Sequence, residues 1–225
     1  MKILFLGTGA ADWNEEHRGD PGYRRNSSAL IDGKILIDPG PHVIDAIKTF
    51  GVDIKEIKYV LNTHSHIDHF NEASLEYILK NSGAEFLSVG DFETVTLGEY
   101  SITALRGNHS IRVQHFIISD GDKRIYYGLD SAWLMYEEVQ VIKSAPIDFA
   151  VFDATVGFIE GNFRIFEHND LSMVINMKKM LGGKYIRRFC ISHMARILHT
   201  GHEELASAMA EYGIEVAYDG WETEI

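Results

Sequence analysis

The run His64-Ser65-His66-Ile67-Asp68-His69, placed directly after Tyr59-Val60-Leu61, decides how this chain is read. The apolar tripeptide has the β-branched and aromatic character of a strand. The six residues after it concentrate three imidazoles and a carboxylate in one loop. Where a strand runs out, side chains two apart point the same way, so His64 and His66 can grip one ion while the turn carries Asp68 and His69 toward a second. The competing reading is a polar loop with solvated histidines.

Outward from this run, short β-branched and aromatic stretches alternate with helical patterns, which predicts layered α/β architecture. Strands are expected at residues 2–6, 29–31, 34–37, 58–61, 85–89, 101–105, 113–118, 123–127, 148–152, 188–191 and 214–217. Asp32-Gly33 and Asp120-Gly121-Asp122 read as hairpin turns. Helices are expected over 43–50, 71–81, 132–143, 170–181 and 203–212, with Gly51, Gly83, Gly182 and Gly213 as stop signals. Hairpins mixed with β-helix-β units in both halves suggest two similar sheet-plus-helix layers facing each other.

Two closely spaced ions need more than four ligands, and strand ends elsewhere offer them. His109 follows strand 101–105 through Arg106-Gly107-Asn108, Asp130 follows strand 123–127 through Gly128-Leu129, and His193 follows strand 188–191 through Ser192. Functional groups in α/β sheets collect at such positions. Any one of them alone would read as a cap or a surface group. Together with the loop cluster they complete a binuclear set.

The composition sets the frame for this chemistry. The 225 residues are 45% apolar and 24% charged, with no Pro/Ser-rich linker, so residues 1–225 are expected to form one globular domain. Net charge is −12, from 21 basic and 33 acidic residues, which speaks against the broad basic surface of a nucleic-acid binder. The single Cys190 cannot form an internal disulfide and fits a reducing compartment. The apolar run at 3–6 stops at Gly7 without a cleavage pattern, and nothing approaches the ~18 apolar residues of a membrane span. A cytoplasmic location without membrane contact is the expectation.

The chain resembles the metallo-β-lactamase-fold metallohydrolases along nearly its whole length, through Gly7-Thr8-Gly9, Leu36-Ile37-Asp38-Pro39-Gly40, the His-x-His-x-Asp-His cluster, His109, Asp130 and His193. The resemblance implies a four-layer αβ/βα sandwich holding two Mn²⁺ or Zn²⁺ ions. It assigns His64, His66 and His109 to one ion, Asp68, His69 and His193 to the other, and Asp130 as the bridge. Within the superfamily, Phe152-Asp153-Ala154-Thr155, Glu167-His168-Asn169-Asp170, Cys190-Ile191-Ser192-His193 and Ala217-Tyr218-Asp219-Gly220 look like the phosphodiesterase branch, which includes cyclic phosphate phosphodiesterases and, more distantly, the ribonuclease Z family. That likeness implies that His168 protonates the leaving oxygen. Two departures stand out: the loop at 11–25 lacks the cysteines of a structural zinc site, and Arg196 stands where the cyclic phosphate enzymes have a further histidine. The long tRNA-clamping arm of ribonuclease Z is also missing.

The expected reaction is hydrolysis of a small phosphodiester or cyclic phosphate by a hydroxide that the two ions share. His168, Asp153 and Asp68 are the catalytic candidates, with Asp153 holding the His168 imidazole in the required tautomer. Asp38 is expected to orient a metal ligand from behind. Arg24, Arg25 and Asn26 are candidates for substrate contact or solvated loop charges. Hydrolysis of a carbon-centred ester, thioester or lactone is the alternative activity, and a non-catalytic metal module is a third reading. His17, His42, His115, His199 and His202 lack partner spacing and read as surface or capping residues. A homodimer is suggested by the resemblance alone.

Overall fold

Strand β1 (Lys2–Gly7) pairs antiparallel with β2 (Ser28–Ile31), and β2 turns through Asp32-Gly33 into β3 (Ile35–Ile37). Both turn residues have positive φ, 50° and 70°, as the Asp-Gly signal requires. The computed structural model describes residues 1–225. It divides into two compact units, Met1–Ser88 with Ala217–Ile225, and Val89–Val216.

In the first unit, helix α1 (Val43–Thr49) links β3 to its parallel neighbour β4 (Tyr59–Leu61), and α2 (Glu72–Ser82) links β4 to β5 (Glu85–Phe86). Asn71 starts α2 by accepting the Ser74 amide at 2.9 Å, and Gly83 ends it in the left-handed region. Val43, Ala46 and Ile47 of α1 and Leu75 and Ile78 of α2 recur at helical spacing and pack with Leu6, Leu30, Leu36 and Val60 of the sheet. Each Val, Leu or Ile among them contributes about 1.5–3 kcal/mol by leaving water.

The second unit opens with β6 (Thr94–Leu97), β7 (Tyr100–Arg106), β8 (Gln114–Ser119) and β9 (Arg124–Gly128), an antiparallel meander. Helix α3 (Tyr136–Ser144) leads to β10 (Ile147–Asp153), α4 (Leu171–Leu181) to β11 (Ile186–Ser192), and α5 (His202–Ala210) to β12 (Ile214–Val216), three strands that continue the sheet in parallel. The sheet order is β12-β11-β10-β9-β8-β7-β6. Helix α4 is capped by Asp170, whose side chain accepts the Met173 amide at 2.7 Å. Its Leu171, Val174, Ile175 and Leu181 pack with Ala150, Phe152, Phe189 and Ile191.

The last strand, β13 (Glu222–Glu224), returns to the first unit beside β1 and completes the order β13-β1-β2-β3-β4-β5. The structure is therefore mixed α/β with two sheets and five helices. Three expectations change. The helix expected from residue 132 starts at Tyr136, because the preceding residues form a polar-stapled loop. The strand expected over 85–89 is only Glu85–Phe86, and Thr94–Leu97 and Glu222–Glu224 are additional edge strands without an apolar run to announce them. No helix is long and apolar enough to cross a membrane.

Candidate metal centre

In the first unit, the loop after β4 is folded around one buried carboxylate. Asp38 follows β3 at φ 62°, a left-handed conformation that is uncommon outside glycine. It accepts the Thr63 amide at 2.7 Å, the Thr63 hydroxyl at 2.9 Å and His69 Nδ1 at 2.8 Å. A carboxylate in this role only accepts, so His69 donates from Nδ1, and Nε2 is the nitrogen that could hold a metal. That Nε2 lies 3.3 Å from Asp68 Oδ2. His64 Nε2 lies 3.0 Å from His66 Nδ1, and the His64 and His69 rings are 4.4 Å apart. His64, Asp68 and His69 are buried and His66 is half-buried. Gly40 permits this packing: a Cβ there would run into the Asp68 carbonyl.

In the second unit, His109, Asp130 and His193 come from the ends of β7, β9 and β11, as their positions in the sequence suggest. Asp130 and His193 both have positive φ, 52° and 64°. Local strain of this kind persists where surrounding contacts hold it, and it gathers at functional sites. His193 Nε2 lies 3.2 Å from Asp130 Oδ2, and His109 Nε2 lies 3.8 Å from Asp130 Oδ1. The opposite ring nitrogens are anchored in the protein: His109 Nδ1 donates to the Glu167 carbonyl at 3.0 Å, and His193 Nδ1 lies 2.7 Å from Thr155 Oγ1.

Asp153, at the end of β10, organises the rest. It is wholly buried and accepts the amides of Asp130 at 3.1 Å, Thr155 at 2.9 Å and Asn169 at 3.0 Å, together with the Thr155 hydroxyl at 2.9 Å. His168 Nδ1 donates to Asp153 Oδ2 at 2.9 Å and lies 3.9 Å from Asp130. The His168 and His193 rings stack at 5.6 Å. Burial alone would raise the Asp153 pKa, but the adjoining His168 and His193 outweigh it and hold the carboxyl well below the usual range. Burial lowers the His168 pKa, yet the charge and hydrogen bond of Asp153, aided by Asp130, raise it above the ordinary imidazole value.

These residues fit a divalent metal on donor chemistry. Two ligands on one tetrahedral ion with bonds of about 2.1 Å stand about 3.4 Å apart. The His69–Asp68 and His193–Asp130 separations, 3.3 and 3.2 Å, have that scale. Ligand atoms of Asp130, Asp153, His168 and His193 all lie within 4.8 Å of one another.

Thr63 is not singled out in the sequence, and Thr155 and Asn169 enter only as members of the quoted motifs, with no role assigned to either. Three other expectations change. Arg24 Nη1 donates to Thr8 Oγ1 at 2.7 Å and the Ala217 carbonyl at 2.9 Å, while Arg25 Nε binds Asp45 at 2.8 Å, so both brace the first unit. His42 is buried and accepts the Asn26 amide at 3.1 Å. His115 is buried with Glu138, Nδ1 to Oε1 at 2.6 Å, instead of lying on the surface.

Residues 22–76 match the sequence model of the Metallo-beta-lactamase superfamily. No curated protein matches the chain in a sequence comparison. Among solved structures, a diphosphatase from the PhnP family is similar at 18% identity and TM-score 0.72, with 100% of this chain and 97% of that chain covered. Zinc-bound PqqB from Methylobacterium extorquens is similar at 18% identity and TM-score 0.73, with both chains fully covered, 100% and 100%. The short form of human tRNase Z is similar at 16% identity and TM-score 0.71, covering 100% of this chain and 99% of that one. The chain has the metallo-β-lactamase fold, and its first unit carries the superfamily's sequence pattern.

Proposed function

We propose that the chain is a metal-dependent hydrolase that cleaves a small phosphodiester or cyclic phosphate. In this reading His64, His66 and His109 serve one divalent ion, Asp68, His69 and His193 a second, and Asp130 both. Mixed imidazole and carboxylate ligation suits Mn²⁺ and Zn²⁺ alike. Bound there, the ions would supply Lewis acidity toward the phosphoryl oxygens and make hydroxide available near neutral pH. Asp68 and Asp130 offset only part of the charge of two dications, which favours an anionic substrate.

The observation that carries the reading is the His168–Asp153 pair. His168 is committed to Asp153 through Nδ1, so it delivers a proton from Nε2 to the departing alkoxide. Its pKa, raised by the charge and hydrogen bond of Asp153, favours the protonated ring. Asp153 orients the ring and stabilises the imidazolium, and the amides of Asp130, Thr155 and Asn169 hold Asp153 in turn. The PhnP-family diphosphatase and tRNase Z, both structurally similar, act on phosphate linkages by name, which supports the choice of a phosphoryl centre.

The test is hydrolysis of bis(p-nitrophenyl) phosphate beside a lactone and a thioester. Chelation should abolish phosphodiester turnover and added Mn²⁺ or Zn²⁺ restore it, with two equivalents of metal bound. Turnover that ignores chelation, or that is confined to the carbon-centred esters, overturns the reading.

A further inference from the structure

The loop from Asp130 to the start of α3 holds two non-glycine residues in the left-handed region. Besides Asp130, Trp133 has positive φ, 59°, a conformation in which a bulky side chain is an outlier. Burial is the usual compensation for placing an indole, but Trp133 remains 43% exposed. A turn needing only this backbone would take glycine or asparagine. Polar staples impose the conformation instead. The Trp133 amide donates to Asn169 Oδ1 at 2.7 Å, and Ser131 Oγ donates to the Trp133 carbonyl at 3.3 Å. Asn108 donates its amide to Ser131 Oγ at 2.8 Å and its side chain to the Ala132 carbonyl at 3.0 Å.

The staples are anchored beside the chemistry. Asn169 follows His168 and gives its own amide to Asp153 at 3.0 Å, the carboxylate that holds His168. Asn108 precedes His109. The backbone that carries the indole is therefore fixed between the neighbour of the proton donor and the neighbour of a candidate ligand. Residues 130–136 contain no Lys or Arg, so what this segment offers a phosphoester beyond the candidate ligand Asp130 is an aromatic face and not a positive charge. Phe166, two residues before His168, is also exposed.

We propose that Trp133 is a stacking platform for a planar group of the substrate, a nucleobase or an aryl ring, so that the substrate class is a nucleotide-like or aryl phosphoester. The location beside His168 rests on the phosphodiesterase reading, whereas the platform itself can be judged separately by binding.

The experiment is calorimetric titration of metal-loaded protein with AMP and with ribose 5-phosphate, which differ by the base alone. Wild type should bind AMP at least about fivefold more tightly, the low end of a base–aromatic stack. Trp133→Asn, which tolerates the left-handed backbone, should bring the ratio to near one, and Trp133→Phe should keep most of it. Equal affinities in wild type, no measurable AMP binding at millimolar concentration, or a ratio that survives Trp133→Asn overturns the platform. If Trp133→Asn does not fold, the wild-type ratio and its retention in Trp133→Phe decide. Bis(p-nitrophenyl) phosphate turnover, read in parallel, separates the two ideas. Turnover with a ratio of one removes the platform alone, and a high ratio without phosphodiester turnover removes the phosphodiesterase reading alone.

Discussion

His69 Nδ1 stands 2.8 Å from Asp38 Oδ2, with both side chains wholly buried. This single bond fixes which nitrogen of His69 is available to a metal. Asp38→Asn keeps the size and suits φ 62°, but it removes the charge and allows the amide to present a donor to Nδ1. Metal affinity should fall about 10–100-fold, with little change in thermal midpoint. Competition with a chromogenic chelator measures it; unchanged affinity would separate His69 orientation from metal binding.

The His168–Asp153 pair makes a prediction about pH. A general acid must be protonated when the leaving oxygen departs, and a raised His168 pKa extends the protonated form to higher pH. Removing the Asp153 charge takes away its largest raising influence. Asp153→Asn should therefore shift the alkaline limb of kcat to lower pH. For alkyl leaving groups the loss should approach the about 10²–10⁴-fold contribution of a positioned acid. His168→Ala should show the same preference for good leaving groups and lose that limb. Because Asp153 also holds Asp130 and His193, metal content is measured beside the rates. An unmoved limb at full metal content would take His168 out of the acid role.

How much of this was legible in the sequence depended on whether the deciding contact was local. Tyr59-Val60-Leu61 followed by the histidine run announced β4 and its ligand loop, because strand character and donor residues lay within ten positions of each other. The helix expected from residue 132 failed for the opposite reason: Asn169 and Asn108, which hold Ala132 and Trp133 out of α3, lie 36 and 24 positions away. His115 misled in the same way. Its partner Glu138 sits 23 positions on, in a stretch that reads as a solvated helix face. Glu222–Glu224 pairs with β1 through its backbone, so no apolar alternation marked it.

Gly40 tests how far the Asp68 backbone is locked. A Cβ at this position meets the Asp68 carbonyl, which is backbone and cannot swing aside. Gly40→Ala should cost about 1–3 kcal/mol by overpacking. It should also displace Asp68 and His69 together, so metal binding drops more than for a core substitution of equal thermal cost, such as Ile78→Val. Equal metal content in the two variants at matched midpoints would show that the Asp68 loop absorbs the methyl group.

The His115–Glu138 pair offers a stability measurement that does not depend on activity. His115 Nδ1 meets Glu138 Oε1 at 2.6 Å, Nε2 meets the Leu129 carbonyl at 3.1 Å, and Tyr126 donates its hydroxyl to Glu138 at 3.1 Å. Burial lowers the His115 pKa, but the charge and hydrogen bond of Glu138 raise it above the ordinary value on balance. A group whose folded pKa is raised contributes stability that is complete below its unfolded pKa, about 6.5. That contribution is lost as pH climbs through the folded value. The difference in unfolding free energy between wild type and His115→Gln should therefore be largest near pH 6 and shrink toward pH 9. Glu138→Ala, which strands a buried imidazolium, should cost about 3–5 kcal/mol at the acidic end. Urea titrations across this range decide the matter: a difference that grows with pH would mean that His115 is buried in its neutral form.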